Sequence, residues 1–403
     1  APAISRCCTI RRRARQARLI LSRLVALSPE LNLRVFAAGC VASAAAVAPS
    51  NPIELGARTV VCEGLDPEAE RAVRSASPHL RVTRVGSRLA LGGSPGELLD
   101  LARALANGPH PSLGAELRAA VQAFEAQLTA PPATLVMGVL NVTPDSFSDG
   151  GEWLDPRRAV DHALEMVEQG ASVIDIGGES TRPGAEEVSV EEELRRVMPV
   201  IEALRPRTQA LLSIDTRKAP VARAALAAGV DWVNDISGMT HDPAIGEAVA
   251  AHPRAVLVLM HSRARPAAKR YSTAYDPTAA PAYEDVVADT LRWLRVQARR
   301  ALALGISADR LWIDPGFGFG KTFAQNVELL RRLREYASAG LPVLLGTSRK
   351  SSVGKLLGDL PPDQRLEGTA ATVAFGVAQG AAGVRVHDVR EIARVCRVVD
   401  ALR

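Results

Sequence analysis

From residue 134 onward, short apolar runs alternate with stretches of helical periodicity. Eight runs have the length and composition of buried strands: Thr134–Leu140, Ser172–Ile176, Ala210–Ile214, Trp232–Asn234, Ala255–Met260, Leu311–Ile313, Pro342–Leu345 and Gly383–Val386. Helical patterns between and after them cover Arg157–Gln169, Glu191–Leu204, Val221–Ala228, Tyr283–Leu304, Asn326–Tyr336, Thr369–Gln379 and Val389–Leu402. The pattern therefore predicts an α/β fold made of repeated strand–helix units.

Eight such units in about 270 residues match the size of a (β/α)8 TIM barrel. A doubly wound open sheet is the alternative. Polar residues follow all eight predicted strands, which is what a barrel with one active mouth requires, so we predict the barrel. The ends of the strands then bring their side chains to a single site.

The first third of the chain has two parts of different composition. Residues 1–56 are rich in Ala and Arg, and the run Val35–Ala48 is too short to span a bilayer, so we interpret 1–56 as a disordered basic leader. Residues 57–130 predict a small α+β module with the order β-α-β-β-α, followed by a linking helix over Leu113–Leu128. Pro131-Pro132 marks the boundary of a catalytic domain over 131–403. The module shows no catalytic constellation.

Charge and cysteine content limit the classes of function. The net charge is +5, and the first 50 residues carry eight Arg against one Glu, or +7, which leaves −2 for the remainder. We therefore expect neither a nucleic-acid nor a membrane partner for the main body. The five Cys form no Cys-x-x-Cys pair, which argues against a zinc site or a disulfide framework and favours the cytoplasm.

The residues at the predicted strand ends divide by chemistry. Asp215, Asn234 and Asp314 suit the polar edge of a heterocycle, because carboxylates accept paired N–H bonds. Cationic or donor groups fit for an anion are Arg182, Arg385 and His387, while Asn141 offers an oxygen to Mg²⁺ and Lys350 could serve both ends.

Other polar residues at these ends have structural interpretations. We expect Asp388 to cap the last helix, Asp175 and Glu179 to pair with nearby Arg or backbone N–H groups, and His261 to be either a mouth histidine or a functional one. The segment Gly316–Thr322 fails the phosphate-loop pattern because Pro315 stands where glycine is needed. We interpret it as a glycine-hinged loop that aims Phe319 at the substrate.

Seven segments together resemble the signature motifs of the dihydropteroate synthase family. They occur in order at the predicted strand ends and are Met137–Gly151, Asp175–Gly184, Ser213–Arg217, Asn234–Ser237, Asp314–Thr322, Gly346–Ser351 and Arg385–Val389. The resemblance covers about residues 134–403 and not the first 130. One departure is the long stretch from Ser262 to Pro281, where the family has a shorter Gly- and Pro-containing segment.

The resemblance implies that 4-aminobenzoate displaces pyrophosphate from (7,8-dihydropterin-6-yl)methyl diphosphate, by an SN1-like loss of the diphosphate, to give 7,8-dihydropteroate in folate biosynthesis. It also implies Mg²⁺, sulfonamide mimicry of aminobenzoate, and a homodimer. The residues implied for the pterin are Asp215, Asn234, Ile236, Met260, Asp314 and Lys350. Those for the pyrophosphate are Asn141, through Mg²⁺, with Thr181, Arg182, Arg385 and His387. Those for aminobenzoate are Phe147, Thr181, Arg182, Pro183, Phe319 and Ser348, and Asp149 would stabilise the cation.

Two other functions are considered. A methyltetrahydrofolate-dependent methyltransferase would share the pterin residues but would not need the first-loop, Ser-Thr-Arg-Pro and Arg-Val-His segments together, and all three are present. A non-catalytic pterin-binding paralogue would be expected to lack loop residues, and none is missing.

Overall fold

The computed structural model describes residues 32–37, 58–77, 80–85, 88–129, 133–143, 156–180, 187–262 and 283–403. The chain divides into two compact units. The first comprises Ala1–Pro131 together with Arg332–Leu341, and the second comprises Pro132–Arg331 and Pro342–Arg403.

The first unit contains an antiparallel four-stranded sheet in the order β1-β2-β4-β3. Its elements are β1 (Asn32–Ala37), β2 (Arg58–Glu63), α1 (Pro67–Ala76), β3 (Arg81–Val85), β4 (Arg88–Gly93), α2 (Pro95–Ala106) and α3 (Pro111–Thr129). Asp66 caps α1, and Ser94 with Glu97 forms a capping box on α2, which fixes both helix starts. One face of the sheet and the helices share a core that includes Val60, Leu91 and Leu98. The predicted β-α-β-β-α order is present.

Residues 32–37 correct the prediction of a disordered leader. They form β1, which pairs along its whole length with β2, from Asn32 opposite Glu63 to Ala37 opposite Arg58. A six-residue edge strand gains its hydrogen bonds from a partner distant in sequence, so the local pattern carries little signal for it.

The second unit is a barrel of eight parallel strands. They are β5 (Leu135–Asn141), β6 (Val173–Gly177), β7 (Leu211–Asp215), β8 (Trp232–Asp235), β9 (Val256–Met260), β10 (Leu311–Asp314), β11 (Leu344–Leu345) and β12 (Gly383–Val386). The sheet order is β10-β9-β8-β7-β6-β5-β12-β11. A parallel bridge between Ile313 and Val343 joins β10 to the residue before β11, which closes the ring. The open-sheet alternative is therefore excluded and the predicted barrel is confirmed.

Helices follow the strands. They are α4 (Pro156–Gln169), α5 (Val190–Leu204), α6 (Ala219–Ala227), α7 (Ala244–Ala250), α8 (Val286–Ala303), α9 (Phe323–Arg331), α10 (Ser351–Leu356), α11 (Leu366–Ala378) and α12 (Val389–Leu402). The short helices α7 and α10 were not predicted, because two turns or fewer show no clear periodicity. The predicted helix Asn326–Tyr336 ends at Arg331, and a 3₁₀ helix over Leu333–Ala339 follows within the first unit.

The barrel interior changes from apolar to polar along the strands. A layer of buried apolar side chains includes Met137, Val173, Trp232, Val258, Trp312 and Leu344. Because side chains alternate along a strand, the residues two positions further on face the same interior. Three of those six positions hold Asp175, Asn234 and Asp314, so the polar layer lies at the carboxyl ends of the strands, beyond the apolar layer.

Candidate active site at the barrel mouth

Strand register brings four of the mouth residues into one row. Asn141 lies opposite Gly177, Gly177 opposite Asp215, and Asp215 opposite Asn234, across β5 to β8. A Cβ added at Gly177 would lie 3.5 Å from Cβ of Asp215, so glycine here leaves room beside that carboxylate. The row therefore presents the side chains of Asn141, Asp215 and Asn234, with space at Gly177, which has no side chain.

Arg385 ties the carboxylates of this layer together. Its Nε donates to Oδ2 of Asp175 at 2.6 Å, and its Nη2 donates to Oδ2 of Asp215 at 2.7 Å. The side-chain amide of Asn234 donates to the same Asp175 oxygen at 3.0 Å. Asp175 is fully buried and is a partner of an arginine, as the sequence indicated. Among the described residues, two of the five guanidinium donors are used in this way.

Two buried polar atoms in this layer can form further hydrogen bonds. Oδ1 of Asp175 and Oγ of Ser213 are buried and have no hydrogen-bond partner among the described residues. The two residues lie opposite each other on β6 and β7. Since buried polar atoms are nearly always paired, this part of the interior is built to accept water or a polar ligand.

Burial and crowding shift the proton affinities of the site. Burial raises the pKa of Asp215 to about 7, against the lowering effect of Arg385. Burial also raises the pKa of Asp314, while Lys350 and a hydrogen bond from the Gly316 amide oppose the rise. Burial lowers the pKa of Lys350 to about 8, although Asp314 favours its charged form. The mouth therefore holds one carboxylate, Asp215, whose pKa lies near neutral pH, and an ammonium, Lys350, whose pKa is lowered toward it.

Lys350 spans from these carboxylates to the loop after β10. Its ammonium donates to the carbonyl oxygen of Phe317 and lies 4.5 Å from the ring centroid of Phe319. Phe319 thus stands beside the lysine over the mouth. Ile236 on the loop after β8 is half-buried, and Met260 at the end of β9 is buried.

A second polar group is formed by the loops after β11 and β12. Oγ of Ser348 lies 3.0 Å from Nδ1 of His387 and accepts the backbone N–H of His387 at 3.1 Å. Arg349 forms an ion pair with Asp388. The predicted side-chain cap by Asp388 is wrong: the residue stands at the start of α12, but its carboxylate is taken by Arg349 and makes no capping bond.

Glu179, two residues after the end of β6, lies in a buried ion-pair cluster. It accepts from Arg217 and from Nζ of Lys218, both at 2.7 Å, and Lys218 also pairs with the fully buried Glu193. These contacts agree with the structural interpretation of Glu179. The cluster joins the ends of β6 and β7.

Five of the predicted site residues lie outside the described residues: Phe147, Asp149, Thr181, Arg182 and Pro183. The structure also reveals a pair that the sequence analysis left unassigned. Lys321, rejected as a phosphate-loop lysine, is fully buried with its ammonium 3.1 Å from Nδ1 of His261. The only hint of this pair in the sequence is that Lys321 lies in a glycine-rich segment without matching a phosphate-binding motif.

Within the described residues, no group of three or more His, Cys, Asp or Glu side chains is placed to hold a metal ion. Over the same part of the chain, no helix is both long and apolar enough to cross a membrane. What the mouth offers is a polar, buried recess that pairs carboxylate and amide groups with cations, beside an aromatic ring. Such a recess can hold a flat, polar heterocycle and an attached anion.

Comparisons with known proteins agree with this description. The family model described as "Pterin binding enzyme" matches residues 137–387. The chain is 48% identical to a dihydropteroate synthase of Synechocystis sp. over 269 residues, which are 67% of this chain and 90% of that protein. It is 46% identical to the dihydropteroate synthase of Escherichia coli K12 over 266 residues, 66% of this chain and 90% of the relative.

Solved structures give the same result. A dihydropteroate synthase from Clostridium difficile, determined in the presence of pteroic acid, matches with a TM-score of 0.62 at 43% identity, covering 68% of this chain and 98% of that one. One from Xanthomonas albilineans, in complex with 7,8-dihydropteroate, matches with a TM-score of 0.59 at 44% identity, covering 67% and 94%. The fold, the mouth and these relatives agree, and the chain belongs to the dihydropteroate synthase family of pterin binding enzymes.

Proposed function

We propose that this chain is a working dihydropteroate synthase, which joins 4-aminobenzoate to (7,8-dihydropterin-6-yl)methyl diphosphate in folate biosynthesis and releases pyrophosphate. The observation that carries the proposal is the polar layer at the barrel mouth, where Asp215, Asn234 and Asp314 adjoin Lys350 and Arg385. Family membership and the intact set of described motif residues support the same conclusion.

The pterin ring is assigned to the deepest part of this layer. Its aminopyrimidinone edge carries neighbouring N–H donors and ring acceptors, which match the carboxylates of Asp215 and Asp314 and the amide of Asn234. Ile236 and Met260 supply apolar contact for the ring face, and Lys350 donates to a ring acceptor. Burial raises the pKa of Asp215 to about 7 in the free protein. A bound ring N–H donor stabilises the ionised carboxylate and so lowers this pKa.

The pyrophosphate is assigned to the cationic side of the mouth. Arg385 has donors to spare, and His387 is fixed by its contact with Ser348. Thr181 and Arg182 are assigned here from the motifs. Asn141 fits a Mg²⁺ ion, because its amide is half-buried at a strand end and has no hydrogen-bond partner among the described residues, and this cation needs few protein ligands. When bound, Mg²⁺ supplies positive charge that stabilises the leaving pyrophosphate.

The reaction follows an SN1-like course. As the bond from the methylene carbon to the pyrophosphate oxygen breaks, the pterin ring stabilises the resulting cation, and Asp149 is assigned to help it. The aromatic amine then attacks that carbon and loses a proton, so no strong general base is needed. Phe319 and Ser348, with Phe147 and Pro183 from the motifs, are assigned to the aminobenzoate side, where a sulfonamide would compete. Keeping water out matters because water competes with this weak nucleophile.

The homodimer is also part of the proposal. The helices α11 and α12 pack against each other and carry large exposed apolar side chains: Phe375 at 46%, Val398 at 59% and Leu402 at 82% exposure. Exposed apolar side chains on neighbouring helices are what a two-fold dimer buries. The substitution Phe375→Asp places a charge among these side chains, and we expect the variant to be monomeric when its mass is measured by light scattering. The cytoplasm remains our expectation for location, from the cysteine pattern.

The test is product formation by the full chain from dihydropterin methyl diphosphate and 4-aminobenzoate, with and without Mg²⁺. Dihydropteroate and pyrophosphate in equal amounts, formed only with the metal, would support the proposal. Pterin binding without product would favour the non-catalytic paralogue. Methyl transfer from methyltetrahydrofolate would favour the methyltransferase.

A further inference from the structure

The loop after β10, Gly316–Gly320, is held from two sides by two lysines. On one side, Lys350 donates to the carbonyl oxygen of Phe317. On the other, Nζ of Lys321 donates to the carbonyl oxygens of Gly316 at 2.9 Å and Phe319 at 3.1 Å. Different carbonyls of one short loop therefore accept hydrogen bonds from two separate ammonium groups.

The environment of Lys321 is that of a cation enclosed by acceptors. The side chain is fully buried. Besides the two loop carbonyls, its ammonium lies 3.1 Å from Nδ1 and 3.3 Å from the carbonyl oxygen of His261. Because an ammonium only donates, a charged Lys321 requires Nδ1 as an acceptor, which assigns the ring proton of His261 to Nε2. A buried charge persists only when its hydrogen bonds are made, so Lys321 and these acceptors need one another.

The backbone of the loop requires this enclosure to be tight. Gly316 has φ +70°, and a Cβ there would lie 1.9 Å from the carbonyl oxygen of His261. Gly318 has φ +81°, and a Cβ there would lie 2.9 Å from Cδ of Lys350. Both residues adopt conformations that only glycine accepts readily. The loop Gly316–Gly320 is thus closely packed against both Lys321 and Lys350.

We propose that Lys321, paired with His261, is a positioning residue for the pterin: it fixes the carbonyl of Phe317 and so holds the ammonium of Lys350 at the mouth. This rests on the proposed function in that Lys350 is taken to bind the pterin. Lys321 itself touches no substrate. Its proximity to Asp314, whose pKa it helps to lower, places it behind the same carboxylate layer.

The first test reads the position of Lys350 without any substrate. Acetic anhydride at limiting concentration labels lysines, and mass spectrometry gives the rate at each one. The pKa of Lys350, lowered to about 8 by burial, makes this group reactive at neutral pH. In Lys321→Met, we expect labelling of Lys350 to rise about tenfold, since a charge-assisted hydrogen bond no longer protects it. The exposed Lys355 on α10 is the internal reference and should not change.

The second test is a double-mutant cycle on affinity for 6-hydroxymethyl-7,8-dihydropterin, which lacks a leaving group. Lys321→Met and Lys350→Met should each weaken binding about tenfold. The double variant should lose little more than Lys350→Met alone, because Lys321 acts through Lys350. The matched control, Lys355→Met, should bind as the wild type does.

The proposal requires both results. Unchanged labelling of Lys350, or losses that multiply in the double variant, would overturn it and leave Lys321 a purely structural residue. If Lys321→Met does not fold, His261→Gln tests the same contact with a smaller expected effect. Failure of the proposed function is read separately, in the wild-type chain, as absence of dihydropteroate. Failure of this proposal is read in the variants while the wild type remains active.

Discussion

Removing the guanidinium of Arg385 is expected to destabilise the barrel in a strongly pH-dependent way. Arg385 donates to Asp175 at 2.6 Å and to Asp215 at 2.7 Å, and Asp175 is fully buried. Arg385→Met therefore leaves the fully buried Asp175 and the half-buried Asp215 without the guanidinium that they share. Breaking a buried ion pair by removing one partner typically costs about 3–5 kcal/mol, and we expect a loss of that size at about pH 8.

Acid should relieve much of this loss. The pKa of Asp215 is already raised to about 7 in the folded protein, and Arg385 is what opposes a further rise. Removing Arg385 raises the pKa of Asp215 further, so wild type and variant both hold this proton below about pH 7, and the extra loss in the variant develops as the pH rises above about 7, where the wild type ionises Asp215 and the variant does not. At about pH 5.5 Asp215 is protonated in the folded state, and the loss should shrink to about 1–2 kcal/mol.

The assay is urea unfolding followed by tryptophan fluorescence at both pH values. It reports on the barrel, because the described tryptophans, Trp232, Trp293 and Trp312, all lie in the second unit. The matched control is Arg390→Met on α12, a half-exposed arginine 3.9 Å from Glu165, which should change little at either pH. An equal loss from Arg385→Met at both pH values, or no loss at about pH 8, would refute the reasoning.

Three further outcomes follow from the same structure. Pterin binding should release close to one proton per site at about pH 6 and few at about pH 8, because the pKa of Asp215 is about 7 and its ionised form binds. Calorimetry in two buffers measures this release, and Asp215→Asn should remove the difference between the two pH values. Gly318→Ala should weaken pterin binding about tenfold with little change in that of aminobenzoate, because φ is +81° and the new Cβ would meet Lys350. Deleting residues 1–131 should lower the melting temperature in calorimetry, since Leu333 and Tyr336, buried in the first unit, lose their packing; an unchanged melting temperature would contradict this.

The barrel was predictable because its signals are local and repeated. Each buried strand is a continuous apolar run, and the polar residue after it, such as Asp215 or Asp314, appears where the run stops. The strand β1 was not predictable, because its pairing with β2 is made only in three dimensions. Helix α9 stops at Arg331 although the apolar pattern continues, since the following segment packs in the other unit.

The membership of the site was more predictable than its connections. Arg385 and Asp215 were predictable as residues of the same mouth with different ligands, and in the structure they are hydrogen bonded to each other. Asp388 was expected to cap a helix, and its carboxylate pairs with Arg349 instead. Which of two possible partners a side chain binds depends on the distances between them in the folded protein, and the sequence does not give these distances. The enclosure of Lys321 depends on backbone carbonyls, which leave no signature in the side-chain pattern.

The central claim is that the carboxylate layer at the mouth binds the pterin for synthesis of dihydropteroate. The most direct test compares the Michaelis constants for both substrates in the wild type and in Asp314→Asn, which keeps the size of the side chain and removes its charge. We predict metal-dependent product from the wild type, and in the variant a rise of about tenfold to a hundredfold in the constant for the pterin substrate, with that for aminobenzoate unchanged. No product from the wild type, or a change confined to aminobenzoate, would contradict the account.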